Sequence, residues 1–284
     1  MLLMLDEEYR LTRQRGWEEA GQRYDGLAAG PLADLMRQAA AEIFHHAGLA
    51  AGQTVLDVGT GPGTPALEAI PHVGKHGKVI GIDWAQSMVE TARRHASEAG
   101  IGNAEFWVME AEDLHFPDNH FDAVISRYGF PHFTSAARAL AESHRVLKKG
   151  GRLAAAMHGA VDRNPYFTAP VLALQAFHLE PTSITDRGPF YFHEADRFED
   201  AMRNAGFTNA RAFVHDTQIL VPDFEQYWAA QKAGGATVRR ALDAVPEALR
   251  AEAEIAARNS LMPYVSGNEA VFPAQIVVGV GAKP

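Results

Sequence analysis

The sequence predicts an α/β chain: a doubly wound, seven-stranded, mostly parallel sheet with helices on both faces. Three observations carry this. Short apolar runs alternate with helical periodicity between residues 54 and 157. A glycine-rich turn, Gly59-Thr60-Gly61-Pro62-Gly63, closes the first run. A second run, Ile80-Gly81-Ile82-Asp83, ends in an acid. Strands separated by helices pair as parallel neighbours, and such a sheet needs helical cover on each face.

Taken in order, residues 1–30 read as a helical preamble in which Trp17, Ala20 and Tyr24 recur at helical spacing, punctuated by Gly26 and Gly30-Pro31. A helix from about Pro31 to His46 places Leu32, Leu35, Met36, Ala39 and Ile43 on one face. Thr54–Val58 is an apolar run without alternation, the pattern of a strand buried on both sides. A helix from about Thr64 to Ile70 follows. Then come strand Lys78–Ile82, helix Gln86–Glu98, strands Glu105–Met109 and Phe121–Ser126, and helix Ser135–Val146. Gly150-Gly151 precedes strand Arg152–Met157. Residues 159–190 are rich in proline and aromatics and lack a clear period. Arg197–Asn204 is a helix stopped by Gly206, and Ala210–Val214 and Ala274–Val280 are the last strands. Between them Phe224–Leu261 is helical, broken at Gly234-Gly235 and Pro246. The expected organisation is an N-terminal helical cap or lid at 1–50, a sheet domain at 51–220 with 271–284, and a helical insertion at 221–270 serving as lid or dimer contact.

The 284 residues are 47% hydrophobic and 21% charged, an ordinary globular composition. With no cysteine, disulfides, thiolate catalysis and cysteine-held metals are excluded. The 26 basic residues against 35 acidic ones give a net charge of −9, which repels polyanions on average, so no nucleic-acid partner is expected. Met1-Leu2-Leu3-Met4-Leu5 stops at acids and lacks a basic leader, and no run reaches the ~20 apolar residues of a membrane span. The expectation is a cytoplasmic protein without a membrane partner.

Glycines at 59, 61 and 63 let a ligand approach the backbone closely, and the turn feeds a helix N-terminus whose free N–H groups favour anionic ligand groups. A dinucleotide site wants glycine where Thr64 stands, which counts against NAD. The same turn is also read as a bare strand-to-helix connection. Asp83 lies about twenty residues beyond Gly63, a spacing at which a strand-end carboxylate accepts ribose hydroxyls; alone it is also read as a helix cap. Glu110-Ala111-Glu112-Asp113-Leu114 follows the third strand, and Phe116-Pro117-Asp118-Asn119-His120-Phe121-Asp122 leads into the fourth.

With these motifs in this order, the run from Val55 to Met157 resembles the class I S-adenosylmethionine-dependent methyltransferases. It is most similar to the branch holding the ubiquinone and menaquinone C-methyltransferases and related small-molecule enzymes. The resemblance implies a Rossmann-like fold, S-adenosylmethionine as cofactor, and in-line methyl transfer to O, C or N of a small, apolar or aromatic acceptor. It implies that Asp57, Gly59, Thr60, Gly61 and Gly63 hold the methionine end and Asp83 the ribose. Trp84 and Met88 would flank the adenine. Glu110 and the Ala111 backbone would receive its amine and ring nitrogen, with Glu112 nearby, and Ser126 and Arg127 would contact the methionine again. Glu110 departs from the family's aspartate there. Tyr24, an aromatic followed by Asp25, resembles the family's lid over the cofactor; it is equally read as a core tyrosine.

Because the sulfonium is already a good leaving group, alignment and water exclusion matter most, and a base is needed only for a proton of high pKa. His132, just past the fourth strand, is the candidate base; its bland reading is a solvated loop histidine. Tyr128, Phe130, Phe133, Tyr166 and Tyr191 are candidates for the acceptor wall, each also read as core packing. His45-His46, His72/His76 and His115/His120 suggest metal pairs without a supporting carboxylate motif, so no metal is expected. Two other functions keep the same fold. One uses the bound sulfonium as a fixed charge for non-methylating chemistry, such as isomerisation or cyclisation. The other is a non-catalytic subunit. The acceptor, the methylated atom and a homodimeric state are left open.

Overall fold

The computed structural model describes residues 10–11, 14–19, 30–177, 184–186, 188–233 and 236–284. Its centre is one sheet in the order β3-β2-β1-β4-β5-β8-β6, with β7 paired to β8. The strands are β1 (Thr54–Val58), β2 (Lys78–Asp83), β3 (Ala104–Val108), β4 (Phe121–Arg127), β5 (Leu147–His158), β6 (Thr208–Val221), β7 (Val265–Ser266) and β8 (Glu269–Ala282). The first five run parallel, and β8 is antiparallel to both β5 and β6. The seven expected strands are all present. The eighth, β7, is a two-residue hairpin arm too short to carry a sequence pattern.

The helices are α1 (Ala33–Ala47), α2 (Thr64–Val73), α3 (Gln86–Glu98), α4 (Ala136–Val146), α5 (Pro165–Gln175), α6 (Ala195–Asn204), α7 (Phe224–Ala233), α8 (Ala236–Asp243) and α9 (Arg250–Asn259). The period-two alternation of the strands divides the core. Val55, Val79, Ala123, Ala154 and Val278 join the cluster under α1–α3, α5 and α7–α9. Their neighbours Leu56, Ile80, Val124, Ala155 and Val277 join the one under α4 and α6. Helix α2 runs on through Pro71 to Val73, past the expected end at Ile70. Residues 224–261 form helices separated near the expected breaks, and Phe224, Trp228, Leu242, Ala257 and Leu261 are buried in the α1-side core.

Strand order reverses at β1, which pairs with β2 on one side and β4 on the other. In open parallel sheets a crevice forms outside the carboxyl ends at such a reversal. Arg145 ties down the connection between β3 and β4: its guanidinium donates to the carbonyls of Leu114 and Phe116 and to the carboxylates of Asp118 and Glu142. Among the described residues no helix is long and apolar enough to cross a membrane.

Candidate active site

A cleft opens at the carboxyl ends of β1, β2 and β4. Its floor is the turn after β1. Gly61 has φ +55, and a Cβ there would meet nothing, so the backbone is bare toward the cleft. The turn is held from beneath. Thr60 Oγ1 donates to Asp57 Oδ2 at 2.6 Å, while Asp57 Oδ1 has no partner among the described residues. Burial pushes the Asp57 carboxyl up to about 7. The backbone N–H groups of Gly59 and Thr60 both donate to the Ile82 carbonyl, which fixes the turn to β2.

Asp83 ends β2 at the cleft wall. Its Oδ2 accepts from the Gly61 N–H and its Oδ1 from the Ala85 N–H, both at 3.0 Å. Burial pushes this carboxyl up to about 6, against the pull of those hydrogen bonds. Each oxygen keeps acceptor capacity for a ligand hydroxyl. Asp83 therefore braces both the turn and the start of α3 while lining the cleft.

The cleft brings together Gly59, Thr60, Gly61, Asp83, Trp84, Met88, Ala111, Glu112, Arg127, Tyr128, His132 and Phe133 from the expected set. Arg127 donates to the Met36 carbonyl at 3.1 Å and approaches Glu68 at 3.4 Å, so its charge is shared with the protein. Tyr128 has φ +61, an unusual conformation for a residue with a side chain. It stacks on His158 at 4.4 Å, and Phe167 and Phe190 close the other sides of that imidazole. His158 Nδ1 has no partner among the described residues, and burial pushes the ring down to about 4. His132 stands at the cleft edge, 5.2 Å from Trp17 ring to ring.

Other expected site residues lie elsewhere. Gly63, at φ +87, packs against α3: a Cβ there would come within 2.7 Å of Ala92. Asp57 lies under the turn and does not wall the cleft. Ser126 Oγ donates to the Val58 carbonyl at 2.7 Å, fastening β4 to β1. Glu110 points to Arg10, 2.7 Å away. Phe130 is core, edge-on to Phe133 and Phe198. Tyr166 packs against Tyr227 and Phe272, and Tyr191 lies under Arg197. Tyr24 lies outside the described residues.

The sequence reading missed Trp17, Leu32, Met36, Met109 and Gly129 as lining residues. Three come from the N-terminal region. Gln14 donates to the Trp84 carbonyl, and the Glu18 carboxylate accepts from the Gln86 and Ser87 N–H groups at the start of α3. Residues 14–19 are thereby fastened over the β2 side of the cleft. The helical-spacing aromatic Trp17 was the available signal.

The donor set fits S-adenosylmethionine. Asp83 and Glu112 line the cleft beside Met88, Met109, Trp84 and Ile82, a wall that suits a ribose and a flat apolar base, while Glu112 Oε1 also accepts from the Ser135 N–H at 3.0 Å. A family model described as a methyltransferase domain matches residues 55–151. The chain is 31% identical over 182 residues to aklanonic acid methyltransferase DauC of Streptomyces sp. (strain C5), covering 64% of this chain and 76% of that one. It is 36% identical over 149 residues to the ubiquinone/menaquinone biosynthesis C-methyltransferase UbiE of Francisella philomiragia, where the match spans 48% of this chain and 60% of the relative. The crystal structure of YcgJ from Bacillus subtilis superposes with a TM-score of 0.58 at 22% identity, over 87% of this chain and 98% of that one; this likeness is one of fold.

Proposed function

Because this chain belongs to the class I S-adenosylmethionine-dependent methyltransferases, we propose that it methylates O, C or N of a small, apolar or aromatic acceptor bound at the β4 end of the cleft. The observation that carries the reading is a single cleft walled by the bare turn at Gly61, the Asp83 carboxylate, and Tyr128, His132 and Phe133. When bound, S-adenosylmethionine supplies an electrophilic methyl group on a sulfonium.

The chain's own residues do the rest. Asp83 accepts the ribose hydroxyls, and Trp84 and Met88 flank the adenine. The backbone at Gly59–Gly61 takes the methionine end. The Ala111 backbone reads the adenine edge, with Glu112 beside it. Tyr128 and Phe133 orient an apolar or aromatic acceptor and keep water out. Where the acceptor atom carries a proton, His132 takes it. Relatives named for aklanonic acid and for quinone biosynthesis support a small-molecule acceptor, as does the net charge of −9.

The test has two stages. Calorimetry with S-adenosylhomocysteine is expected to give one site per chain; no binding would end the proposal. Incubation with methyl-labelled S-adenosylmethionine and a panel of small aromatic acids, phenols and quinols is then followed by mass spectrometry. A product heavier by one methylene supports methyl transfer. Conversion at unchanged methyl count would move the reading to fixed-charge catalysis.

A further inference from the structure

The contact between α1 and β6 gathers three metal-ligating side chains away from the cofactor cleft. Glu42 and His46 stand one turn apart on α1 and so share a face. His215 reaches them from β6. His46 Nε2 lies 3.8 Å from Glu42 Oε2, and His215 Nδ1 lies 3.7 Å from Glu42 Oε1. The three ligand atoms all lie within 4.8 Å of one another.

Around a tetrahedral ion with bonds of about 2.0–2.1 Å, neighbouring ligand atoms stand roughly 3.4 Å apart. The two Glu42 separations run to different carboxylate oxygens and exceed this by a few tenths of an ångström; with one oxygen bound, the three ligand atoms, which lie within 4.8 Å of one another, draw together by up to about 1.4 Å. The geometry is also braced. His46 stacks on Phe213 at 4.4 Å and 15°, which sets its ring plane, and His215 is carried by a strand paired along its length with β8. His215 Nε2 is buried without a partner among the described residues, so the polar approach recorded for this ring is on its Glu42 side. The side chains are 18% (His46), 32% (His215) and 35% (Glu42) exposed, which leaves a path for an ion and a water. His45 and Arg152 are the neighbouring groups whose charge opposes a cation. Two imidazoles and one carboxylate suit zinc and related divalent ions better than magnesium or calcium.

We propose that Glu42, His46 and His215 form a site for one zinc-class divalent cation, which ties α1 to the edge strand β6. The site is distinct from the methyl-transfer chemistry. Its ligands come from elements whose other ends matter to the cleft, since Leu32 and Met36 at the start of α1 line it.

The test uses the whole chain, free of any affinity tag, stripped with chelator and titrated with Co(II) alone and then Zn(II). The expected result is uptake of one Co(II) per chain with a visible tetrahedral absorption band that Zn(II) removes. Glu42→Gln, His46→Gln and His215→Gln are each expected to weaken uptake at least about tenfold, and His115→Gln to leave it unchanged. Zn(II) is expected to raise Tm by a few degrees in the parent chain and not in His215→Gln. Circular dichroism of the metal-free variants, with substitutions on two different elements, separates lost ligation from lost folding. Absence of saturable uptake would overturn the proposal. So would uptake that survives in both His46→Gln and His215→Gln.

Discussion

Asp83 holds the Gly61 and Ala85 N–H groups with its two oxygens while lining the cleft. Asp83→Ala is expected to weaken S-adenosylhomocysteine binding by about ten- to hundredfold, the worth of a charged hydrogen-bond acceptor at about 1.5–3 kcal/mol, as read by calorimetry. His158 gives a pH signature. Its folded pKa is pushed down to about 4 by burial, against an ordinary value near 6.5. Between those values the unfolded chain binds the proton that the folded chain refuses, so this histidine lowers stability as pH falls from about 6.5 toward 4, by on the order of 3 kcal/mol in all. Asp57 and Asp83 act with the opposite sign, because their raised pKa values let the folded state keep protons longer. The clean measurement is therefore the stability of the parent minus that of His158→Phe, by denaturant titration. That difference is expected to be flat above pH 6.5 and to fall below it. At this scale the site was half legible. Asp83 and His132 carry signals of type and position, whereas Glu110, Ser126 and Tyr166 had the right type and were claimed by Arg10, Val58 and Tyr227.

At the scale of elements, the segment at 14–19 is a clamp on α3. Burial alone would raise the Glu18 carboxyl, but hydrogen bonds from Ser87 and Gln86 win and hold it below its ordinary value. The clamp is therefore complete above that ordinary value and is lost as pH falls through the lower, folded one. Glu18→Ala is expected to cost about 1 kcal/mol, as for loss of a helix cap, and to speed release of S-adenosylhomocysteine in stopped-flow measurements. An unchanged release rate would separate the clamp from the ligand. Element types and most boundaries between 54 and 157 were readable because parallel strands and their helices write their periods into the chain, whereas helix α5 and the outer reaches of β6 and β8 were not. The fastening of 14–19 was not, because it consists of side chains meeting backbone roughly seventy positions away.

For the molecule as a whole, β8 is the keystone. It lies between β5 and β6, antiparallel to both, so the last strand in sequence is interior in space. A chain ending before Glu269 is expected to be insoluble, since it would leave β5 and β6 as open edges. Gly279→Val probes the same point more gently. Even a Cβ at 279 would fall 2.1 Å from the Phe198 ring, so a cost of about 3 kcal/mol or more is expected from the shift in Tm. By itself the sequence determined the alternating α/β order, the bare turn at Gly59–Gly61 and the acid at Asp83. These follow from local rules: side-chain period, the steric freedom of glycine, and short spacings within one β-α-β unit. Only the tertiary structure decided which aromatic rings face the cleft and which face the core. It also decided that Trp17 and Met36 join the wall, and that His215 meets Glu42 and His46. Those juxtapositions depend on strand order and on which face of each helix is buried, and residues brought together across the sheet leave no periodic trace along the chain.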